Sequence, residues 1–480
     1  MYRKIITTKH NRKLKNGVNV SRETFKKMNN NKYDVFDIII IGSGLAGSEA
    51  GIISACFGQK TLIINISMDN PSLLKHSAKI GGILNDFSLS KINALGGFIN
   101  NAVYVNKIAQ KTERENNYLE VSNLVDKRKF SLFYKYFLEN QINLNARQGL
   151  VTDVEICTEN NVKSYEVKLS DGSIFFSQAL VISTGTFFNA KVFWGNNVAE
   201  AGRHGEINSK LFCESLKNFG YDFQKEKIFI GPRIDKRTIN LRKIKKIKSE
   251  ENINIVLPKE LESIKSFKQN IFWQKYYSFK TKAIKSEILK CISETSKNYK
   301  KDYFEKLFNV EWSKLKLEDC KNKEFEIELL PEGDRTAELY LNEFNFAFSD
   351  EEQLKILNKF HGLENASIIR PGYCIEYEAL KKGQLKQNME SNIHNNIFFA
   401  GEVSGSAGYE NAALQGLIAG TNASLNLLES RQLLTKEDFI SIVKLMELII
   451  CGIKRQEKDA KDLKEIILEK LEPLRNNSNQ

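Results

Sequence analysis

An unbroken apolar run, Ile38–Ile41, is the clearest hydrophobic pattern near the beginning of the chain. A run this short, rich in β-branched residues and ended by a glycine, is typical of a strand buried on both faces of a parallel sheet. Small residues follow at helical spacing between Ala50 and Ala55. The pattern predicts a buried strand, a glycine turn over residues 42–47 and a helix packed closely on the strand.

Further apolar runs predict additional strands in the same part of the chain. Lys60–Asn65 and Ala179–Thr184 have the composition of buried parallel strands. Residues 129–150 predict a helix that leads to a short strand near Val151–Ile156. Residues 164–169 and 173–176 flank an Asp-Gly pair, so they predict a hairpin.

The glycine turn has the Gly-x-Gly-x-x-Gly pattern of a dinucleotide site. Gly42 permits the tight turn, Gly44 lets backbone approach a pyrophosphate, and Gly47 lets the helix lie close on the strand. The helix N-terminus adds free N–H groups for phosphate. A turn that serves packing alone is the alternative. The predicted cofactor-binding residues of this turn are Gly42, Ser43, Gly44, Leu45, Ala46 and Gly47.

A second strand, glycine loop and helix occur late in the chain. The run at 397–399 leads into Gly401 and Glu402, then a loop containing Gly408 and a helix of small residues, Ala412–Ala423. FAD is long, and a helix N-terminus beside its ring stabilises the charge gained on reduction. We predict that Gly401, Glu402 and Gly408 bind this end of FAD, with Glu402 accepting hydrogen bonds from ribityl or ribose hydroxyls.

These patterns predict the fold class and divide the chain into five parts. We predict an α/β protein with a Rossmann-like FAD-binding domain of the glutathione-reductase type, an inserted α+β domain and a short helical C-terminal tail. The parts are a basic N-terminal extension that is disordered or a targeting segment (1–33), the FAD-binding domain (34–235 and 326–425), the inserted basic domain (236–325) and the helical tail (426–480).

Charge points to a polyanionic partner. The formal net charge is +12, and lysine dominates residues 236–325, where aromatic residues are interleaved. Lysines neutralise phosphates and aromatic rings stack on unpaired bases, so we predict binding of RNA. The alternative is a solvated lysine-rich surface whose aromatic residues form the core of the inserted domain.

Cysteine spacing and hydropathy bear on metals, membranes and compartment. The seven cysteines are scattered without a CxxC pair or a Cys/His cluster, so we expect no metal site and a reducing compartment. No apolar stretch approaches the ~18 residues of a membrane span, so we expect no membrane partner. We predict a cytoplasmic location, with mitochondrion or plastid as the alternative if residues 1–33 are a transit peptide.

Four stretches carry a resemblance to a known family: FDIIIIGSGLAGSEA, ALVISTGTFFNAKVFWG, IIRPGYCIEYE and NIFFAGEVSGSAGYENAALQGLIAGTNAS. Over roughly residues 34–425 the sequence resembles the MnmG (GidA) family. The resemblance implies a homodimeric FAD protein that works with an MnmE-type GTPase on C5 of the tRNA wobble uridine. It further implies methylene-tetrahydrofolate as one-carbon donor and NADH as reductant. By motif position it places Val151, Ser209 and Glu402 against FAD.

Departures from the family pattern leave the chemistry open. The family's cysteine-bearing loop reads His76-Ser77-Ala78-Lys79 here, and its second cysteine falls near Tyr276. His76 and Lys79 are therefore the candidate catalytic residues. Residues 433–480 do not match the family's long C-terminal helical region, which serves tRNA and MnmE.

Three hypotheses remain. The first is an FAD-dependent RNA-modifying oxidoreductase or transferase, with a folate- and FAD-dependent uracil C5-methyltransferase as a variant. The second is a non-catalytic FAD-binding partner of a complete MnmG and MnmE. The third is an FAD/NADH oxidoreductase acting on a small substrate.

Overall fold

The computed structural model describes residues 34–81, 89, 92, 96–115, 118–159, 162–250, 274–308, 312 and 314–427. The predicted N-terminal extension, the helical tail beyond residue 427 and residues 251–273 of the predicted insert lie outside the described residues. Within the described part, no helix is both long and apolar enough to cross a lipid bilayer.

The strands are numbered in chain order and include several short pairs. They are β1 (Asp34–Ile41), β2 (Thr61–Asn65), β3 (Lys79–Gly81), β4 (Lys107–Glu115), β5 (Tyr118–Val125), β6 (Leu144–Gln148), β7 (Val151–Glu159), β8 (Val162–Leu169), β9 (Ile174–Ile182), β10 (Lys191–Trp194), β11 (Asn197–Ala199), β12 (Ala201–Arg203), β13 (Glu206–Ile207), β14 (Phe223–Ile230), β15 (Arg233–Asp235), β16 (Lys245–Lys248), β17 (Tyr276–Ile284), β18 (Glu324–Pro331), β19 (Glu338–Asn342), β20 (Ile368–Arg370), β21 (Tyr373–Leu380) and β22 (Ile397–Phe399).

The helices are numbered in the same way. They are α1 (Leu45–Cys56), α2 (Ile99–Asn106), α3 (Lys127–Asn140), α4 (Lys210–Asn218), α5 (Lys285–Ser296), α6 (Lys301–Phe304), α7 (Asp350–Leu357) and α8 (Tyr409–Leu427).

A seven-stranded sheet forms the FAD-binding part predicted from the sequence. Its order is β6-β2-β1-β9-β8-β7, and β22 also pairs with β9. The strands β6, β2, β1, β9 and β22 run parallel, whereas β8 and β7 are antiparallel additions. The chain is thus a mixed α/β structure around a parallel sheet, as predicted.

The apolar run of β1 is buried on both faces of this sheet. Ile38 and Ile40 pack into the cluster that contains α1 and α8, while Ile39 and Ile41 pack into a second cluster on the other face. All four side chains are at most 4% exposed. This burial on two sides explains why the run shows no polar alternation.

Two predicted elements differ from the structure. The helix expected over 129–150 ends at Asn140, and the remainder contributes β6. The helix ends because Gln141 is extended, with φ −70° and ψ 124°, and Asn143 then adopts a left-handed φ of +68°. The second hairpin strand and the buried strand near Ala179 are one continuous strand, β9. Its first half pairs with β8 and its second half with β22.

A second lobe is built on a six-stranded sheet of order β16-β17-β18-β19-β15-β20. The helices α5 and α7 contribute to the apolar cluster that packs on it. Because β15, β19 and β20 come from outside residues 236–325, the lobe combines chain from both sides of the predicted insert. The predicted domain boundaries themselves stay a prediction.

Candidate cofactor site

A cavity of about 380 Å³ lies at the carboxyl edge of the parallel sheet. It is bounded by the β1–α1 turn, the ends of β2 and β9, and the loop that leads into α8. Ligands of open α/β sheets bind outside the carboxyl ends of the strands, so this is the expected position for a nucleotide site.

The three motif glycines are required for three different reasons. Gly42 has a φ of +104°, and a Cβ there would overlap the carbonyl of Ser183. A Cβ on Gly47 would overlap the carbonyl of Gly42, so Gly47 permits the close approach of α1. Gly44 has ordinary backbone, with φ −65° and ψ −177°, and a Cβ there would meet no protein atom within 4 Å. Gly44 is therefore the glycine that keeps space open in the cavity.

The second glycine loop lies directly against the first turn. Gly401, with a φ of +81°, would place a Cβ 3.1 Å from Ala46 Cβ. Its N–H donates to Gln415 Oε1 at 2.8 Å, which ties the loop to α8. Gly408 also has positive φ, at +98°, and precedes the first turn of α8. The two glycine-flanked helix starts consequently face one cavity.

Only some of the polar groups of the cavity wall form hydrogen bonds within the protein. The Ser43 N–H donates to Asn65 Oδ1 at 3.2 Å, and Asn65 Nδ2 donates to the Ser67 carbonyl at 2.5 Å. The buried hydroxyls of Ser43 and Thr184 have no hydrogen-bond partner among the described residues. Such orphaned groups are rare in folded proteins and point to a ligand or water.

Ten of the predicted cofactor-binding residues line this cavity, and one does not. Gly47 lies behind the wall, against Gly42 and Ser183. The lining residues that were predicted are Gly42, Ser43, Gly44, Leu45, Ala46, Val151, Ser209, Gly401, Glu402 and Gly408. The predicted catalytic candidates, His76 and Lys79, are not among the lining residues.

Two ion pairs occur on the cavity wall. Lys75 Nζ contacts Glu402 Oε2, and Arg203 pairs with Glu206. Burial lowers the pKa of Lys75, Glu402 acts in the opposite direction, and Arg203 lowers it further. Lys75 was not predicted as a site residue because it belongs to no recognisable motif and lies in a loop. No group of three or more His, Cys, Asp or Glu side chains that could hold a metal ion occurs among the described residues.

Comparison with known proteins decides the family. The family model described as "Glucose inhibited division protein A" matches residues 37–431. The chain belongs to the GidA family. The resemblance predicted from the sequence, and with it the Rossmann-like FAD-binding fold, is confirmed.

Relatives of the GidA family cover most of this chain. It is 31% identical over 404 residues to the tRNA uridine 5-carboxymethylaminomethyl modification enzyme MnmG of Lachnoclostridium phytofermentans, covering 83% of this chain and 63% of that protein. The MnmG of Alkaliphilus oremlandii is 30% identical over 413 residues, covering 82% and 62%. The chain thus spans a little under two thirds of these relatives.

Solved structures of a GidA protein match the fold. Aquifex aeolicus GidA superimposes in two crystal forms with TM-scores of 0.70 and 0.71, at 27% and 26% sequence identity. Both matches cover 83% of this chain, and they cover 64% and 67% of the Aquifex chains.

In this GidA-family chain, the half-buried His76 is part of a junction between the lobes. Its backbone N–H donates to Tyr409 Oη at 2.9 Å, and its carbonyl accepts from Lys127 Nζ. Burial lowers the pKa of His76 well below its ordinary value, and the neighbouring cations Lys75, Lys127 and Arg233 lower it further. The imidazole is therefore neutral near pH 7.

The described cysteines of this GidA-family chain are Cys56, Cys157, Cys213, Cys291, Cys320 and Cys374. None of them lines the cavity. Burial raises the pKa of Cys213, and it raises the pKa of Cys374 to about 12. Thiols of this kind are protonated and poorly nucleophilic at neutral pH.

Proposed function

We propose that the cavity binds FAD. The observation that carries this proposal is that the two glycine-flanked helix starts, at Gly44–Ala46 and at Gly408–Tyr409, line one cavity. The open space at Gly44 and the unpartnered hydroxyls of Ser43 and Thr184 fit a polar, phosphate-containing ligand.

The residues divide the proposed FAD site by chemistry. The N–H groups at the start of α1 would bind the pyrophosphate, and the absence of a side chain at Gly44 leaves room for it. Val151 and Ser209 on the cavity wall would make further contacts with FAD. Glu402 would accept hydrogen bonds from ribityl or ribose hydroxyls, and the α8 N-terminus near Gly408 would stabilise negative charge on the ring. When bound, FAD supplies two-electron transfer.

We propose that the protein acts in tRNA uridine modification, at C5 of the wobble base. Support comes from membership of the GidA family and from curated relatives named as tRNA uridine 5-carboxymethylaminomethyl modification enzymes. We further propose methylene-tetrahydrofolate as the one-carbon donor and NADH as the reductant, because the family resemblance implies both.

Assembly and location follow the same reasoning. We propose a homodimer that binds tRNA in the cytoplasm and works with an MnmE-type GTPase. The chain spans a little under two thirds of its relatives, so the dimer and the GTPase partner are proposals for this chain in their own right.

A second candidate function is a non-catalytic FAD-binding partner of a complete MnmG. The absence of cysteine from the cavity lining among the described residues favours it, because a thiolate is the usual nucleophile toward a pyrimidine ring. In this case the chain binds FAD and a full-length paralogue but transfers no one-carbon unit alone.

The test combines a spectrum with an RNA measurement. Purified protein is expected to show the visible absorption of bound FAD in stoichiometric amount. Deletion of the gene is expected to remove one modified uridine from total tRNA in nucleoside mass spectrometry, and the wild-type gene is expected to restore it. An unchanged nucleoside profile in the deletion strain contradicts the enzymatic proposal. Pull-down of a complete MnmG supports the second candidate.

A further inference from the structure

The loop after β2 places Lys75 on the cavity wall, next to the start of α8. Leu73 and Lys75 line the cavity, and Lys75 Nζ contacts Glu402 Oε2. The Lys75 and Glu402 side chains are 12% and 18% exposed, so water screens this pair weakly. An ammonium and a carboxylate are thus held together on the wall that also includes Gly408 and Tyr409.

Side chains from both lobes fix the backbone that places this lysine. Arg233 Nη2 donates to the Lys75 carbonyl at 3.0 Å, and Lys127 Nζ donates to the carbonyl of His76. Glu332 pairs with both cations, and both pairs are buried. Arg233, Lys127 and Glu332 therefore bind the loop backbone and one another. The Lys75 ammonium instead contacts Glu402 at the cavity wall.

We propose that Lys75 and Glu402 form a charge-compensated pair that sets the reduction potential of the flavin bound in this cavity. The inference rests on the proposed FAD site and assigns a role to Lys75, which does not belong to either glycine loop. A flavin takes up two electrons and one proton on reduction and is left with negative charge on its N1/O2 side. A cation in a weakly screened cavity stabilises that charge, and a neighbouring carboxylate opposes it.

The two members of the pair act with opposite signs. Lys75→Met removes the positive charge and leaves Glu402, so the reduced flavin loses stabilisation. Glu402→Gln removes the negative charge and leaves Lys75, so the reduced flavin gains stabilisation. The double variant removes both charges and restores the net charge of the wild-type pair. Arg203 also faces this region, but Glu206 compensates it in every variant.

The experiment is a mediated spectroelectrochemical titration of FAD-loaded protein at one pH. Lys75→Met is expected to lower the equilibrium constant for two-electron reduction at least tenfold, about 30 mV, and Glu402→Gln is expected to raise it by a similar factor. The double variant is expected to fall between them. Lys243→Met, which breaks the exposed Lys243–Glu364 pair outside the cavity, is the matched control and leaves the potential unchanged.

The outcomes separate this inference from the FAD proposal. If wild-type protein binds no FAD, both the proposed FAD site and this inference are wrong. FAD bound with potentials that do not move in either single variant, or that move in the same direction in both, overturns the inference alone. If Lys75→Met fails to retain FAD, Glu402→Gln decides the matter by itself, because a rise in potential supports the pair and no rise contradicts it.

Discussion

Gly44 differs from its two motif neighbours because its own backbone does not require glycine. Its φ and ψ suit any residue, and an added Cβ meets no protein atom within 4 Å. We therefore predict that Gly44→Ala folds with wild-type stability but binds FAD at least about tenfold more weakly, ~1.4 kcal/mol, because the methyl group occupies cofactor space. Thermal melting of apo-protein and a flavin fluorescence titration measure the two effects.

The matched control for this prediction is Gly51→Ala inside α1, the helix that begins directly after Gly44. A Cβ at Gly51 would make ordinary contacts, the nearest at 3.5 Å from Leu144 Cδ1, and it lies outside the cavity lining. It is expected to leave FAD affinity unchanged. Equal loss of affinity in the two variants would show that Gly44 acts through helix packing rather than through space for the cofactor.

Glu49 makes stability depend on pH. Its carboxylate accepts from Phe98 N–H and Tyr134 Oη, both at 2.7 Å, and burial raises its pKa from 4.5 to about 7 although these hydrogen bonds lower it. The native state thus retains a proton that the unfolded state loses between pH 4.5 and 7. The stability present below pH 4.5 falls as pH rises through this window, by at most about 3 kcal/mol.

Glu49→Gln is expected to flatten this dependence, because the amide keeps an acceptor oxygen and does not titrate. Urea unfolding at pH 5, 6 and 7 measures the slope. Glu139→Gln, which changes an exposed carboxylate on α3, serves as control and should keep the wild-type slope. A slope in Glu49→Gln equal to that of wild type would assign the pH dependence to another group.

Sequence reasoning at the residue scale succeeded where a motif fixes backbone geometry. The motif predicts that Gly42 and Gly47 must both be glycine, and a Cβ at either position would overlap backbone atoms. Both requirements depend on local turn and packing geometry. Lys75 and Thr184 were missed because their approach to the cavity depends on a loop and on a strand end placed by the whole sheet. Asn65 was predicted at the end of β2, but its hydrogen bond to the first glycine turn was not.

At the scale of elements, the site depends on the close packing of α1 and α8. Gly416 and Gly420 of α8 face the backbone of α1, and a Cβ on Gly420 would lie 2.6 Å from the Ala50 carbonyl. A Cβ on Gly416 would overlap the backbone of Ala46. Ser54 Oγ also donates to the Gly420 carbonyl at 3.2 Å. The small residues predicted in both helices therefore set the distance between the two helix N-termini.

Gly416→Ala is expected to push the helices apart and to destabilise the protein by about 3 kcal/mol. Because the start of α8 moves with the helix, FAD affinity should fall as well. Urea unfolding and flavin fluorescence measure the two losses. Addition of the same methyl group at Gly51, where contacts are ordinary, should change the free energy of unfolding little. Wild-type stability in Gly416→Ala would show that the interface adapts without moving either helix start.

Element boundaries were less predictable than element types. The overlong helix at 129–150 shows the reason, since the apolar residues of α3 and β6 form one nearly continuous pattern along the chain. The break occurs at the extended residue Gln141, and two residues later the Asn143 carbonyl accepts from the Thr61 N–H at the start of β2. That bond is a tertiary contact, which local periodicity does not contain.

At the scale of the whole molecule, less positive charge can bind RNA than the composition suggests, because several lysines pair with carboxylates. On the sheet of the second lobe, Lys280 pairs with Glu326 and Lys282 with Glu324. Of the interleaved aromatic residues, Phe279 and Tyr276 pack in the apolar cluster of this lobe and Tyr277 is buried in a smaller one, as expected for the alternative to an RNA-stacking surface. Phe272 and Trp273 lie outside the described residues. The lysines of edge strand β16 are the remaining concentration of charge on this sheet, and among the described residues no ion pair is seen for them.

The lysines of β16 provide the test of RNA binding. Charge reversal of Lys245, Lys246 and Lys248 to Glu is expected to weaken tRNA binding, because these side chains would no longer neutralise phosphates. The slope of log affinity against log salt should fall by about 0.7 to 0.9 for each phosphate that is no longer neutralised. Filter binding between roughly 50 and 300 mM KCl measures this slope. A control with reversals at the exposed Lys163, Lys191 and Lys382, on β8, on β10 and after β21, changes net charge equally but scatters it away from β16. Equal slopes in the two variants would assign tRNA attraction to net charge rather than to this strand.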